Sequence, residues 1–205
     1  IFLNLIEKVA FRNLNLCKIF LYSYENRPQL YKVIGLTSFK KEKRIKNVLQ
    51  INDKTIDVLI HSKWKSKLKL RKANIEDAKS LFDWANDPET RKNSIYPNKI
   101  IWNDHLKWLQ DKINSPDSDI YIVICQDPVG VLRIDCINGE AYISFNVLKQ
   151  YRGIGIGHRI ISLALEKFSN KPLVAEVIEE NIGSKKLFER NKFILENTYK
   201  KNGRK

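Results

Sequence analysis

From residue 67 onward, apolar and polar positions follow a regular succession of two-fold and helical periods. "KLKLRKA" (67–73) alternates and predicts a strand. Asn74 follows as a helix N-cap with Asp77 three residues on, the spacing of a capping box. Ile75, Ala78, Leu81, Phe82 and Ala85 then form a helical stripe. Residues 86–98, punctuated by two prolines, predict a loop or a broken helix. Residues 103–113 put Leu106, Leu109 and Ile113 on one helical face, and "NSPDSD" (114–119) reads as a turn. Two apolar runs, "IYIVIC" (120–125) and "VGVLRID" (129–135), predict an antiparallel hairpin through "QDP". An Asn-Gly pair at 138–139 turns the chain into a third strand over 141–148. Ile160, Ile161, Ala164, Leu165 and Phe168 share one face of a helix over 158–168. A buried strand (172–178), a second helix (182–191) and the start of a last strand (193–199) complete the order. The succession β–α–α–β–β–β–α–β–α–β predicts an α/β (α+β) fold, with a mixed, mostly antiparallel sheet flanked by helices.

The first 66 residues are less regular. Residues 16–24 predict a buried strand and 40–49 a short polar helix, while 55–64 fit either state. No complete alternation marks an independent domain, so the chain divides into a segment 1–66 and a domain 67–205. Charge changes this picture. Residues 1–72 carry 17 Lys/Arg against 5 Asp/Glu, and residues 73–205 carry 20 against 18. The basic half fits either a solvated, lysine-rich surface or an arm for an anionic partner. No nucleic-acid motif accompanies it, so nucleic acid is not an expected partner. No apolar run approaches the roughly 18 residues of a membrane helix, and "IFLNLI" at the start does not read as a signal peptide. Three cysteines without metal-ligand spacing imply a reducing compartment, a cytoplasmic location and no metal site. The chain lacks methionine, which favours a piece of a longer reading frame.

The densest chemical signal is "QYRGIGIGHRI" (150–160), where glycines precede a helix. Glycine lets several backbone N–H groups converge, and the helix start adds its positive dipole end. Arg152 adds a full charge, so the ligand class is a phosphate or pyrophosphate. A dinucleotide-binding loop would follow the first strand of a β–α–β unit, yet three antiparallel strands precede this one. A phosphate-binding NTPase loop needs Gly-Lys-Ser/Thr, which is absent. An acyl-coenzyme A loop or a plain tight turn remains.

"NVLKQYRGIGIGHRIISLAL" resembles the pyrophosphate loop of the GNAT acetyltransferases, Gln/Arg-x-x-Gly-x-Gly/Ala. It does so in two registers, Gln150–Gly153–Gly155 and Arg152–Gly155–Gly157. "ENIGSKKLFERNKF" resembles that family's later segment at Asn181, Ser184, Leu187 and Phe193. The resemblance implies acetyl-CoA as co-substrate, lying between strands 141–148 and 172–178. Its pantetheine arm would pair near Val147 and its pyrophosphate would rest on the loop. Val147, Gln150, Arg152, Gly153, Gly155, Gly157, Asn181 and Ser184 are the implied cofactor residues; Asn181 also reads as a helix N-cap. Glu140, acting through a water, and His105 are the candidate bases. Two positions depart from the pattern. Phe188 stands where many members carry a tyrosine that protonates the leaving thiolate, and Lys192 stands where the family has glycine.

"DWANDPETRKNSIYPNKIIWNDHLKWL" (83–109) resembles GNAT enzymes that acylate amino groups of nucleotide-linked sugars in pseudaminic or legionaminic acid type pathways. Trp84, Tyr96, Trp102 and Trp108 offer either a stacking surface or core. Residues 1–63, through "IEKVAFRNLNLCKIFLYSYENRP", resemble the tail of a nucleotide-sugar hydrolase acting one step later, which would make them a truncated remnant. The expected function is therefore acetyl transfer from acetyl-CoA to a primary amine, on a small nucleotide-activated amino sugar. Two alternatives stay open: acetylation of a protein N-terminus or lysine, and a non-catalytic CoA-binding module. A homodimer that completes the last strand is a further expectation.

Overall fold

The computed structural model describes residues 2–14 and 16–203. It divides into two compact units, Ile1–Lys67 and Leu68–Lys205. Among the described residues no helix is long and apolar enough to cross a membrane, and no cluster of side chains is suited to a metal ion.

In the first unit, helix α1 (Phe2–Lys8) runs into a π-type turn (Val9–Asn13). Strand β1 (Lys18–Tyr24), helix α2 (Pro28–Gly35) and strands β2 (Lys40–Ile51) and β3 (Lys54–Trp64) follow. The sheet is antiparallel in the order β1-β3-β2. Ala10, Phe11, Ile19, Ile34 and Phe39 form its apolar cluster. One reading of this segment is corrected: residues 40–49 are a strand, not a helix. Residues 55–64, which fit either state, are a strand. The polar run has no apolar stripe to hold a helix, and pairing along β3 takes it instead. Asn52 and Asp53, at φ 47° and 56°, close that hairpin in the left-handed region both residues tolerate.

The second unit contains β4 (Lys69–Lys72), a 3₁₀ turn (Ile75–Asp77), α3 (Ala78–Ala85), α4 (Pro88–Lys92) and α5 (Trp102–Asn114). Next come β5 (Ser118–Cys125), β6 (Asp127–Ile137), β7 (Glu140–Val147), α6 (Ile156–Lys167), β8 (Leu173–Val174) and α7 (Ile182–Arg190). The sheet order is β4-β5-β6-β7-β8, antiparallel except for the parallel pair β7–β8 that α6 connects. The capping box forms as expected: the Asn74 side chain accepts from Glu76 N–H at 3.1 Å, and Asp77 accepts from Asn74 N–H at 2.9 Å. Ala78, Leu81 and Leu109 pack on Ile120 and Ile122 on one face of the sheet. On α6, Ile156, Ile160, Ile161 and Ala164 are fully buried.

Two expectations at the end of the chain fail for one reason. The strand foreseen over 172–178 stops after Val174, and 193–200 forms no strand. With so short an edge, β8 offers the last segment almost nothing to pair with. Ile194 and Leu195 stay exposed.

Candidate active site

The site grows from the way β7 and β8 part. They share two rungs, Ala141↔Leu173 and Tyr142↔Val174, and then separate. Ala141 N–H donates to the Pro172 carbonyl at 2.8 Å on this edge. Leu148 N–H donates to the Val129 carbonyl at 3.0 Å on the opposite, β6 edge. The β6–β7 register runs unbroken between them. Strand alternation therefore turns the N–H and C=O groups of Ile143, Phe145 and Val147 toward the gap. At about 3.3 Å per residue, the open edge from Tyr142 to Val147 is about 17 Å long.

The glycine loop lies at the far end of that edge. Gly153 and Gly155 have φ of 76° and 92°, and Gly155 is the N-cap of α6. A side chain at Gly155 would be strained by that backbone. Arg159 N–H makes the first helical bond, to the Gly155 carbonyl, so the N–H groups of Ile156, Gly157 and His158 have no partner within the helix. Gly157 answers a different demand: a Cβ there would lie 2.8 Å from Leu187 Cδ2 and 3.4 Å from Phe145 Cε2, where α6, α7 and β7 converge. Gln150 is exposed in the 3₁₀ turn Lys149–Tyr151.

Arg152 is committed elsewhere. Its Nε donates to the Val147 carbonyl at 2.9 Å. Its Nη2 donates to Asp87 at 2.6 Å and to Thr90 at 3.1 Å, and its Nη1 donates to Glu89 at 2.8 Å. Burial pushes the Asp87 carboxyl up, but Arg152 and Thr90 outweigh it and hold it below its ordinary value. Asp87 also caps α4 by accepting Thr90 N–H at 3.1 Å. Thr90 Oγ1 donates to Asn146 Oδ1 at 3.2 Å, and Asn146 Nδ2 donates to the Trp84 carbonyl at 2.9 Å. Helix α4 is thus bonded to the strand and loop that border the gap.

The remaining expected residues separate. Asn181 caps α7, accepting Ser184 N–H at 3.0 Å, so its side-chain oxygen and the Ser184 amide are already used. His105 is 2% exposed, and its Nε2 donates to the Ala78 carbonyl at 3.0 Å. Phe82, Trp102 and Trp108 surround its ring. Burial pushes its pKa down, against the Ala78 bond. The reading of His105 as a cleft base is corrected: its ring is buried among Phe82, Trp102 and Trp108. Glu140 begins β7 at the hairpin and accepts from Tyr142 Oη at 3.2 Å. It lies on the closed side of the two β7–β8 rungs. Phe188 is buried against Phe145 and Phe193, its ring filling core space.

One group escaped the sequence reading. Glu176, two residues past the β7–β8 rungs, accepts from the Tyr199 hydroxyl and pairs with Lys201 at 2.9 Å. Burial pushes its carboxyl up, while Tyr199 and Lys201 bring it below its ordinary value. Its charge also reaches Tyr142. The signal was the acid in "PLVAEVI", an ionisable residue inside an apparently buried strand.

Residues 67–194 match the profile of the acetyltransferase (GNAT) domain. The chain belongs to the GNAT family. It is an N-acetyltransferase with acetyl-CoA as its co-substrate. The GNAT domain is 26% identical over 128 residues to the acetyltransferase PseH of Campylobacter jejuni, a match covering 60% of this chain and 80% of that protein. In structure it is similar to spermidine N-acetyltransferase from Vibrio cholerae, solved with CoA and spermine. That match has a TM-score of 0.59 and 18% identity, and covers 67% of this chain and 89% of the other. It is also similar to the Salmonella typhimurium acetyltransferase that modifies the N-terminal serine of ribosomal protein L7/L12. There the TM-score is 0.56 and the identity 21%, over 64% and 83% of the two chains. These two share the GNAT fold with this chain.

Proposed function

We propose that the GNAT domain transfers the acetyl group to a primary amine on a nucleotide-linked amino sugar. The observation that carries this reading is the position of α4. The segment 83–109 holds the pattern that resembles the sugar-nucleotide acetyltransferases. Its helix is bonded to Asn146 at the margin of the open β7 edge. The likeness to PseH supports the same reading.

The residues present fit an acyl-CoA. The backbone groups of Ile143, Phe145 and Val147, turned toward the gap, suit an extended amide chain added as a strand. The first-turn amides of α6 and the loop at Gly153 and Gly155 suit a pyrophosphate. For the Val147 carbonyl to receive that chain, the Nε of Arg152 must move off it. Bound there, the co-substrate supplies a thioester carbonyl to the acceptor. The amine nitrogen forms the C–N bond as the C–S bond breaks, the thiolate leaves, and the nitrogen gives up a proton. Glu176 is the proton acceptor in this reading, because it borders the gap on its open side, whereas Glu140 lies behind the rungs. A thiol is acidic enough to depart as thiolate without the tyrosine that Phe188 replaces.

The test is thiol release from acetyl-CoA with three acceptors: a nucleoside-diphosphate amino sugar, a polyamine and a peptide. The sugar nucleotide should give the highest kcat/KM. Preference for the polyamine or peptide would overturn the acceptor reading. Acetyl-CoA binding without turnover of any amine would favour a non-catalytic module. Calorimetry on Gly155→Glu should show acetyl-CoA binding lost, since the new side chain meets both the strained φ and the anion site.

A further inference from the structure

Arg91, in the last turn of α4, is half-buried and has no counter-charge. Among the described residues its guanidinium makes one hydrogen bond, from Nη1 to the Tyr96 carbonyl at 3.1 Å. Its Nε is buried with no acceptor. None of the ion pairs of the described residues includes it. The acids that share its helix turn toward Arg152 instead, which takes both Asp87 and Glu89. Burial alone acts on the Arg91 guanidinium, pushing its pKa down. Arginine does not lose its proton in a protein, so the charge persists with an unbonded N–H withdrawn from water. Left so, that group costs stability.

The location gives the orphan group a meaning. Thr90, the preceding residue, is bonded to Asn146 beside the open edge. Tyr96, whose carbonyl holds Arg91, lies within electrostatic reach of Lys201, and Lys201 is paired with Glu176. Tyr96 therefore links a guanidinium without a counter-charge, by a hydrogen bond, to the Lys201–Glu176 pair, by electrostatics alone. An acceptor with an amine at one end and an anion at the other matches that polarity. Among the described residues the Nε–Nη2 edge of this guanidinium lacks an acceptor and holds two parallel N–H donors, the geometry that phosphate oxygens accept, and a phosphate must uncover the buried Nε to use both.

We propose that Arg91 receives a phosphate group of the acceptor and so selects phosphate-bearing amines. The inference rests on the sugar-nucleotide reading above and names the residue that would enforce it. The full chain is first saturated with coenzyme A, so that the glycine loop is filled. Pyrophosphate binding is then titrated by calorimetry in the natural protein, in Arg91→Gln and in Arg91→Lys. The natural protein should bind pyrophosphate, Arg91→Gln should lose at least tenfold in affinity, and Arg91→Lys should fall between them. Arg91→Gln should melt no lower than the natural protein, since it removes a buried uncompensated charge. In turnover, the KM for a nucleoside-diphosphate amino sugar should rise at least tenfold in Arg91→Gln relative to the KM for the same sugar without phosphate.

Pyrophosphate binding that is absent, or retained in Arg91→Gln, overturns the proposal. So does an equal loss on both acceptors. A rise in the KM for acetyl-CoA would assign Arg91 to the donor and also overturn it. A natural protein that rejects sugar nucleotides yet loses pyrophosphate binding in Arg91→Gln would sink the sugar-nucleotide reading and leave the Arg91 site standing.

Discussion

Lys192 shows how a single side chain can sit against its backbone. It occupies the left-handed region at φ 66°, just past α7. Its N–H bonds the Glu189 carbonyl at 2.9 Å, and Phe193 N–H bonds the Phe188 carbonyl at 3.1 Å. The Phe188 and Phe193 rings lie 5.0 Å apart. This is a Schellman ending, whose left-handed position favours glycine. Lys192→Gly should stabilise the domain by about 1 kcal/mol, read as a raised Tm, because it removes the clash of Cβ with the carbonyl. His105 gives a second test. Burial depresses its folded pKa below the ordinary 6.5, so the unfolded chain binds the proton more readily. The stability this histidine contributes is present above pH 6.5 and is lost as pH falls through that value toward the folded pKa. The Tm of His105→Gln should therefore fall less between pH 7.5 and 5.5 than that of the natural protein. Lys192 was legible through the resemblance, as a lysine where the family has glycine. His105 was not, because its environment comes from Ala78, 27 residues away.

At the scale of elements, a division between local and distant contacts explains what the pattern revealed. The β5–β6–β7 meander, α5, α6 and α7 followed from period and turn chemistry. The β2 strand did not, since pairing with β3 overrides a polar run with no periodicity of its own. The short β8 did not either: an apolar run predicts burial but not where a strand leaves its neighbour, and that departure creates the open edge. Helix α4 is the clearest case. Its five residues carry little intrinsic helicity. Asp87 holds both its first turn and the guanidinium of Arg152, 65 residues further along the chain. Asp87→Ala should destabilise the domain by about 1 kcal/mol through the lost cap alone. Asp87→Asn keeps an acceptor for Thr90 N–H, so its Tm should lie between those of Asp87→Ala and the natural protein. Equal Tm values for the two variants would mean that the ion pair, not the cap, secures α4.

For the molecule as a whole, the question is what residues 1–67 add to a domain whose glycine loop, open β7 edge and helix α4 all lie beyond them. The second unit has its own sheet, with helices packed on it and its own buried core. The first has a separate sheet and a separate apolar cluster. Residues 1–67 hold 14 Lys/Arg and 5 Asp/Glu, so the excess of positive charge belongs mostly to the first unit. Charge of that kind acts through long-range attraction and is screened by salt, with a Debye length of about 10 Å at 0.1 M. The chain 68–205 should therefore fold cooperatively and bind acetyl-CoA with the affinity of the full chain at 0.5 M salt. At low salt the full chain should bind the anionic co-substrate faster, through steering by the basic unit. Titrations at both salt concentrations, with association rates from stopped flow, check this. An affinity loss above tenfold at high salt in the shorter chain would mean that the first unit supplies part of the binding site. Equal association rates at low salt would mean that its positive charge plays no part in capturing the co-substrate.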